Sequence, residues 1–215
     1  MNSCRAWRYV TFDATGTLLR LAEPPGETYL SFENKATSAF LWWRQLVLNV
    51  MKRAKVADCL AYNEEQAERF ARDLYAHFAR PEAWKVFDDV HPTLERLRAL
   101  HVPMGIISNF DERLESLLVG LQLRDYFQVV TTSFEQPEMK PHASIFQSTF
   151  EQLQSKEEPL FTSRFLHVGD HPLKDFKAAK DIGAQAKLLW RTKQRPPPID
   201  INASEVISTL HEVAM

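Results

Sequence analysis

Five short apolar runs, separated by amphipathic patterns, constrain the fold of this chain more than any other feature. Each run has the length and the apolar content of a buried strand. The runs cover 8–12, 102–109, 126–133, 164–170 and 184–190, and helical patterns cover 92–100, 112–121, 142–153 and 172–183. Strands that alternate with helices need crossover connections, which parallel strands use. The sequence therefore predicts an α/β fold with a parallel sheet flanked by helices.

One region interrupts this alternation. Residues 26–88 show no clear strand, and two helical patterns at 38–54 and 64–80 each carry an apolar stripe that predicts packing against the other. The stripes consist of Phe40, Trp43, Val47, Val50 and Met51, and of Ala67, Phe70, Ala71, Leu74 and Phe78. We therefore predict a helical insertion at 23–88, between the parts 1–22 and 89–215 of an α/β core domain. After the Pro run at 196–198 we expect only a short terminal helix.

Composition narrows the classes of partner and compartment. The formal net charge of −2 argues against nucleic-acid binding by bulk charge. No run approaches the length of a membrane span, and the first ten residues lack a signal-peptide apolar stretch. Two cysteines, Cys4 and Cys59, are too few for a disulfide framework and favour a reducing compartment. We expect an intracellular, cytoplasmic protein, with the nucleus and the mitochondrion as alternatives.

Polar side chains follow the predicted strands at the points where the strands end. They are Asp13, Thr15 and Thr17 after the first run, Ser108 and Asn109 after the second, Lys140 after the third, and Asp170 and Asp175 after the fourth. Because the carboxyl ends of parallel strands meet at one edge of a sheet, we expect these residues to gather around one crevice.

This set of residues suits phosphoryl transfer, which needs a nucleophile, neutralisation of phosphoryl charge and a metal ion. Asp13 is the candidate nucleophile, through an aspartyl-phosphate. Asp13 and Asp170 offer hard oxygen ligands for Mg²⁺. Ser108 is a hydrogen-bond donor for a phosphoryl oxygen, and Lys140 supplies a compact positive charge. Asp175 either holds a metal-bound water or orients Lys140.

Four segments resemble the ordered motifs of the haloacid dehalogenase-like hydrolase superfamily. They are FDATGTLL at 12–19, IISNF at 106–110, MKPHASIF at 139–146 and HVGDHPLKD at 167–175. Within the superfamily, ISNFDERLESLLVGLQL at 107–123 and the Trp42–Trp43 pair are similar to the eukaryotic haloacid dehalogenase-like hydrolase domain-containing protein 3 group. The resemblance spans about residues 8–190 and implies a Rossmann-like core with a helical cap inserted after the first motif.

The resemblance also implies roles for the site residues and a small phosphorylated substrate. Asp13 takes the place of the nucleophile, Lys140 that of the third-motif lysine, and Asp170 and Asp175 those of the acidic fourth motif. Thr15 would lend its backbone carbonyl to Mg²⁺. The candidate phosphate-binding residues are Thr17, Ser108, Asn109 and Lys140. A turn residue at Thr17 and a helix start at Ser108 and Asn109 are the structural alternatives.

Thr15 departs from the pattern of the phosphatases, which carry a second Asp two residues after the nucleophile. That Asp protonates the leaving group, and such help is worth about 10²–10⁴-fold in rate. Only 24 residues separate Thr17 from the Trp42–Trp43 pair, which predicts a shortened cap. Thr15 and this short cap leave open a catalytically weak relative with a binding or regulatory role. A 2-haloacid dehalogenase is the lesser alternative: Arg20 lies near the nucleophile in sequence, but the Gly169–Asp170 pair favours a metal. The zinc-like spacing of His167 and His171 is set aside, because His167 falls in an apolar strand.

Overall fold

The protein is described from a computed structural model that covers residues 6–22, 39–53, 64–154, 159–192 and 196–214. The chain divides into two compact units, one formed by Met1–Arg20 with Val86–Met215 and the other by Leu21–Lys85. The assignment of 23–88 as a cap stays a prediction, and its residues 23–38 and 54–63 lie outside the described part, as do Cys4 and Cys59.

In chain order the strands are β1 (Tyr9–Phe12), β2 (Leu19–Leu21), β3 (Trp84–Val86), β4 (Met104–Ser108), β5 (Val129–Thr132), β6 (Phe165–Gly169), β7 (Gln185–Leu189) and β8 (Val206–Ile207). Six of them are parallel and form the sheet of the first unit, in the order β5-β4-β1-β6-β7-β8. The remaining strands, β2 and β3, pair in a separate two-stranded sheet. The predicted α/β fold with a parallel sheet is confirmed.

The helices lie between these strands. They are α1 (Ala39–Arg53), α2 (Glu64–His77), α3 (Val90–Ala99), α4 (Arg113–Gly120), α5 (Ala143–Leu153) and α6 (Ala178–Asp181). A wide π-helical turn, Pro172–Lys177, leads directly into α6. Short 3-10 segments cover Pro81–Ala83, Arg124–Tyr126, Thr162–Arg164, Ala203–Glu205 and Leu210–Ala214. No helix among the described residues combines the length and the apolar character needed to cross a bilayer.

Aromatic packing attaches α5 to one face of the sheet. The ring of Phe150 in α5 stacks on that of Phe165 in β6, with centroids 4.0 Å apart, and Tyr9 in β1 stacks on the other side of Phe165 at 4.6 Å. Phe146 and Ile145, from the same helical face, are fully buried with them. The predicted apolar face of 142–153 therefore packs against the amino-terminal ends of β1 and β6.

In the second unit, α1 and α2 pack together through their apolar stripes, as the sequence predicts. Trp43 of α1 is buried and makes edge contacts with Tyr75 and Phe78. Phe70 does not join this cluster, because it is 39% exposed. The buried face of α2 is centred on Ala71, and Ala67, Leu74, Tyr75 and Phe78 are partly buried beside it.

The structure corrects the sequence-based prediction in four details. The stretch 26–88 does contain a strand, β3, and the tail contains another, β8; both have three residues or fewer. The expected terminal helix is the 3-10 segment Leu210–Ala214. The helix predicted over 172–183 begins with π-helical pitch, since the amide of Phe176 donates to the carbonyl of His171, five residues before it.

Candidate active site

Asp13 lies where β1 ends and is 6% exposed. Its amide donates to the carbonyl of Val168 in the adjacent strand β6, at 2.9 Å, and this bond fixes the backbone at the sheet edge. The side chain accepts from Lys140 Nζ at 2.6 Å and from Ser108 Oγ at 3.3 Å, both at Oδ1. Three predicted site residues from different segments therefore meet at one carboxylate.

Asn109 holds the backbone that carries Lys140. Lys140 N donates to Asn109 Oδ1 at 2.8 Å, and Asn109 Nδ2 donates to the Lys140 carbonyl at 2.9 Å. The Lys140–Pro141 peptide bond is cis. Both polar atoms of the Asn109 side chain are thus engaged with Lys140, so Asn109 has a positioning contact that the sequence did not suggest. Its phosphate contact stays a prediction.

Asp175 reaches the site from the wide turn after β6. Its carboxylate packs directly over Gly169, where an added Cβ would overlap it. Oδ1 accepts from Lys140 Nζ at 2.6 Å, and Oδ2 accepts from the amide of His171 at 3.0 Å. A glycine is therefore required at the end of β6 for Asp175 to approach the ammonium of Lys140.

Asp170 occupies the space above Gly16 in the loop after β1. A Cβ at Gly16 would overlap its carboxylate, and Gly16 has a φ of +85°, a conformation that glycine adopts at little cost. The first and fourth motifs are therefore in contact where the Asp170 side chain packs on Gly16, and any residue with a Cβ at position 16 would block that contact.

The carboxylates of Asp13, Asp170 and Asp175 form an acidic cluster, with one oxygen from each lying within 4.8 Å of the others. Lys140 is the only ammonium hydrogen-bonded to these carboxylates among the described residues, so the cluster carries excess negative charge. Hard oxygen ligands with uncompensated charge suit Mg²⁺. The residues present therefore fit a Mg²⁺ ion.

Burial and mutual repulsion separate the pKa values of these groups. Burial and the charge of Asp175 outweigh Lys140 and raise the pKa of Asp13 to about 6. Burial, with Asp13 and Asp175 nearby, raises the pKa of Asp170 to about 7. Burial also opposes ionisation of Asp175, but Lys140 and His167 hold its pKa below the ordinary value. Burial lowers the pKa of Lys140, yet Asp13 and Asp175 leave it raised. A bound cation would relieve the repulsion.

The two predicted threonines differ in exposure. Thr15 is exposed, and its hydroxyl side chain offers no carboxylic acid. Its backbone forms an isolated β-bridge with Leu19. Thr17 is fully buried, its Oγ1 has no hydrogen-bond partner among the described residues, and its carbonyl accepts from Arg191 Nη2 at 3.0 Å. The phosphate contact of Thr17 and the metal contact of the Thr15 carbonyl stay predictions.

Sequence reasoning missed two residues that support the site. His167 lies beneath it and contacts Asp175 Oδ1 at 3.3 Å. Arg191, just after β7, donates to the Thr17 carbonyl and to both oxygens of Asp89, at 2.8 and 2.9 Å. A histidine inside an apolar strand two residues before a Gly-Asp pair was the available signal for the first. Nothing local marked Arg191, whose partners are 102 or more positions away.

Comparison with known proteins places this geometry among relatives. The haloacid dehalogenase-like hydrolase family pattern matches residues 45–188. Human haloacid dehalogenase-like hydrolase domain-containing protein 3 is 32% identical over 214 residues, which covers 85% of this chain and 81% of that protein. These matches confirm the resemblance drawn from the four motifs.

Solved structures share the fold at lower identity. A HAD phosphatase from Thermococcus onnurineus superposes with a TM-score of 0.65 at 22% identity, over 96% of this chain and 95% of that one. L-2-haloacid dehalogenase from Xanthobacter autotrophicus superposes with a TM-score of 0.67 at 15% identity, over 97% of each chain. Proteins of two different chemistries therefore share this architecture.

Proposed function

This chain belongs to the haloacid dehalogenase-like hydrolase family, and we propose that it is a Mg²⁺-dependent phosphatase that acts on a small phosphorylated metabolite through an aspartyl-phosphate on Asp13. One observation supports this choice above the others: the carboxylate of Asp13, the candidate nucleophile, lies in one cluster with the carboxylates of Asp170 and Asp175 and the ammonium of Lys140. A phosphoryl group needs both cationic neutralisation and a nucleophile, and this cluster offers both.

In the first step of the proposed reaction, an oxygen of Asp13 attacks phosphorus. The bond between phosphorus and the leaving oxygen breaks, and the bonding pair departs with that oxygen. The ammonium of Lys140, 2.6 Å from Asp13 Oδ1, orients the nucleophile and offsets phosphoryl charge. Ser108 Oγ, now 3.3 Å from Asp13, would donate to a phosphoryl oxygen. Water then attacks phosphorus and the bond between phosphorus and the Asp13 oxygen breaks, which releases phosphate and restores the Asp13 carboxylate. One proton of the water stays on the phosphate, and the other passes through solvent to the departed leaving oxygen.

The proposed Mg²⁺ would be held by the carboxylates of Asp13 and Asp170 and by the backbone carbonyl of Thr15. Asp175 would bind the ion directly or through a water molecule. When bound, Mg²⁺ would neutralise charge on the phosphoryl oxygens.

The substitution at position 15 limits the substrates that we expect. The exposed hydroxyl of Thr15 is not an acid near neutral pH, so a leaving alkoxide would depart unprotonated. Phenolates and carboxylates are stable without a proton. We therefore propose that aryl and acyl phosphates are turned over, and that sugar-type alkyl phosphates react slowly.

The test is turnover of p-nitrophenyl phosphate and acetyl phosphate with Mg²⁺ and with excess chelator. We expect Asp13→Asn and chelation each to reduce turnover to background. Asp181→Asn is the matched control, because Asp181 is exposed and pairs only with Lys177 in the described structure. Normal folding and Mg²⁺ binding without turnover, and without an adduct on Asp13 after acetyl phosphate or a fluoride mimic, would instead support a binding or regulatory relative.

Dehalogenation is the competing chemistry that shares an Asp13 ester. It would appear as halide release from 2-haloacids without added metal. The acidic cluster speaks against it, because three carboxylates around one ammonium repel a carboxylate substrate unless a cation is present.

A further inference from the structure

A second, fully buried layer of polar groups lies beneath the acidic cluster. Thr11 in β1 and His167 in β6 are both 0% exposed and face each other in register across the two strands. Thr11 Oγ1 lies 2.9 Å from His167 Nδ1, and His167 Nε2 lies 3.3 Å from Asp175 Oδ1. The proposed reaction uses neither Thr11 nor His167.

The chemistry of the partners orients the imidazole. A carboxylate only accepts hydrogen bonds, so the hydrogen facing Asp175 resides on His167 Nε2. In a neutral ring Nδ1 is then an acceptor, and the hydroxyl of Thr11 is its donor. The ring is packed edge-on against Phe146, with centroids 5.1 Å apart.

Each oxygen of Asp175 is in turn assigned to its own donors. Oδ1 accepts from Lys140 Nζ and His167 Nε2, while Oδ2 accepts from the amide of His171. Rotation of the carboxylate would break all three contacts. Lys140 Nζ lies 2.6 Å from both Asp13 Oδ1 and Asp175 Oδ1, so its position depends on the orientation of the Asp175 carboxylate.

We infer that His167, held by Thr11, is a positioning residue that fixes the Asp175 carboxylate and thereby sets the affinity of the acidic cluster for Mg²⁺. This inference rests on the proposed function in taking Mg²⁺ as the ion. Hydrogen-bond partners of metal-site residues commonly change metal affinity or activity by about 10–100-fold when they are removed. A histidine that merely fills the core would change stability alone.

The test measures Mg²⁺ binding by calorimetry and unfolding by denaturant in the full chain. His167→Leu removes the donor to Asp175, and His167→Gln restores a donor near the position of Nε2. Thr11→Val removes the hydroxyl that orients the ring. Thr149→Val is its matched control, because Thr149 is also 0% exposed and its hydroxyl bonds only Thr131 and the Ile145 carbonyl in the described structure.

We expect His167→Leu to weaken Mg²⁺ binding about 10–100-fold, His167→Gln to recover most of that loss, and Thr11→Val to weaken binding by a smaller factor. Thr149→Val should lower stability and leave Mg²⁺ affinity unchanged. Wild-type affinity in folded His167→Leu would overturn the inference. If that variant does not fold, equal Mg²⁺ affinities for Thr11→Val and Thr149→Val would overturn it. Titration of the wild type separates the two failures. A wild-type chain that binds no Mg²⁺ would overturn both the proposed function and the inference, whereas wild-type binding that is unchanged in the variants would overturn the inference alone.

Discussion

The ammonium of Lys140 lies 2.6 Å from Asp13 Oδ1, although 127 positions separate the two residues in the chain. Both groups are buried, and Lys140 makes a second contact of the same length with Asp175. One positive charge is thus shared by two carboxylates, with Asp170 close by. Removal of that charge should affect folding as well as reactivity.

We expect Lys140→Met to lower the free energy of unfolding by about 3 kcal/mol, because it leaves buried carboxylates without their counter-charge. Activity toward aryl phosphates should be lost in the same variant. Denaturant unfolding without added metal measures the first effect. Lys177→Met is the control, since its ion pair with Asp181 is exposed and should contribute less than about 1 kcal/mol. Equal losses in the two variants would contradict the prediction.

Thr15→Asp should restore the missing general acid. We expect kcat/KM for alkyl phosphates to rise by at least about 10-fold, with a smaller change for aryl phosphates, whose leaving groups need less protonation. Thr15→Asn, which has similar size without the acid, should leave both rates near those of the wild type. A uniform gain for all substrates, or a gain in Thr15→Asn, would show that protonation is not what the wild type lacks.

Mg²⁺ should stabilise the protein more at higher pH. The pKa of Asp13 is raised to about 6 and that of Asp170 to about 7, so the folded chain retains protons that the unfolded chain releases. The stability these groups contribute is present below their ordinary pKa and is lost as the pH rises through about 6 to 7. Because Mg²⁺ binds the ionised forms, its effect on Tm should grow between about pH 5.5 and about pH 8, by at least about 3 °C.

Asp170→Asn provides the comparison for that experiment. Burial lowers the pKa values of His167 and His171, which makes stability rise with pH over part of this range, but the variant shares both histidines. We expect metal-free Asp170→Asn to lose less stability on raising the pH, and to gain less from Mg²⁺. If Mg²⁺ raised the Tm of the wild type equally at both pH values, ionisation of Asp13 and Asp170 would not control Mg²⁺ binding, and the prediction would be wrong.

Arg191 should be needed for stability through its partner Asp89. The guanidinium donates twice to this buried carboxylate and lies 4.0 Å from the ring centroid of Phe87. We expect Arg191→Met to lower the free energy of unfolding by about 3 kcal/mol, because the buried carboxylate of Asp89 loses its counter-charge and retains the amide of Leu210 as a donor.

The double variant Asp89→Asn with Arg191→Met should cost less than the sum of the two single variants. The expected difference is about 1–2 kcal/mol, measured as a double-mutant cycle by denaturant unfolding. Additive losses would mean that Arg191 stabilises the chain through Phe87 and the Thr17 carbonyl instead.

Most of the fold could be predicted from local sequence patterns. Strands such as 102–109 and 164–170 are apolar enough to be recognised alone, and the polar residues that end them came together as sheet geometry requires. The short strands β3 and β8 escaped notice, because two or three residues do not establish a period. Their pairing is decided by partners distant in the chain, which no local window contains.

The supporting contacts of the site were harder to foresee than its reactive residues. Asp13 and Lys140 occur in motifs with ordered spacing, whereas His167 resembles an ordinary core residue in sequence. Asn109 carried a plausible signal for phosphate binding, yet its amide pairs with the Lys140 backbone. Contacts of this kind depend on the ångström-scale approach of separate loops, and residue type alone does not encode it.

The π-helical turn Pro172–Lys177 sets the direction in which Asp175 projects from the chain toward Lys140. Each residue of a helical turn advances by a fixed angle around its axis, about 100° in an α-helix and less in the wider π-helical pitch. A single deletion between Gly169 and Asp175 would therefore swing the aspartate away from the lysine, even with every side chain conserved. Insertions and deletions in this interval should therefore abolish the contact between Asp175 and Lys140, so the number of residues between the strand and the aspartate is constrained as well as their identity.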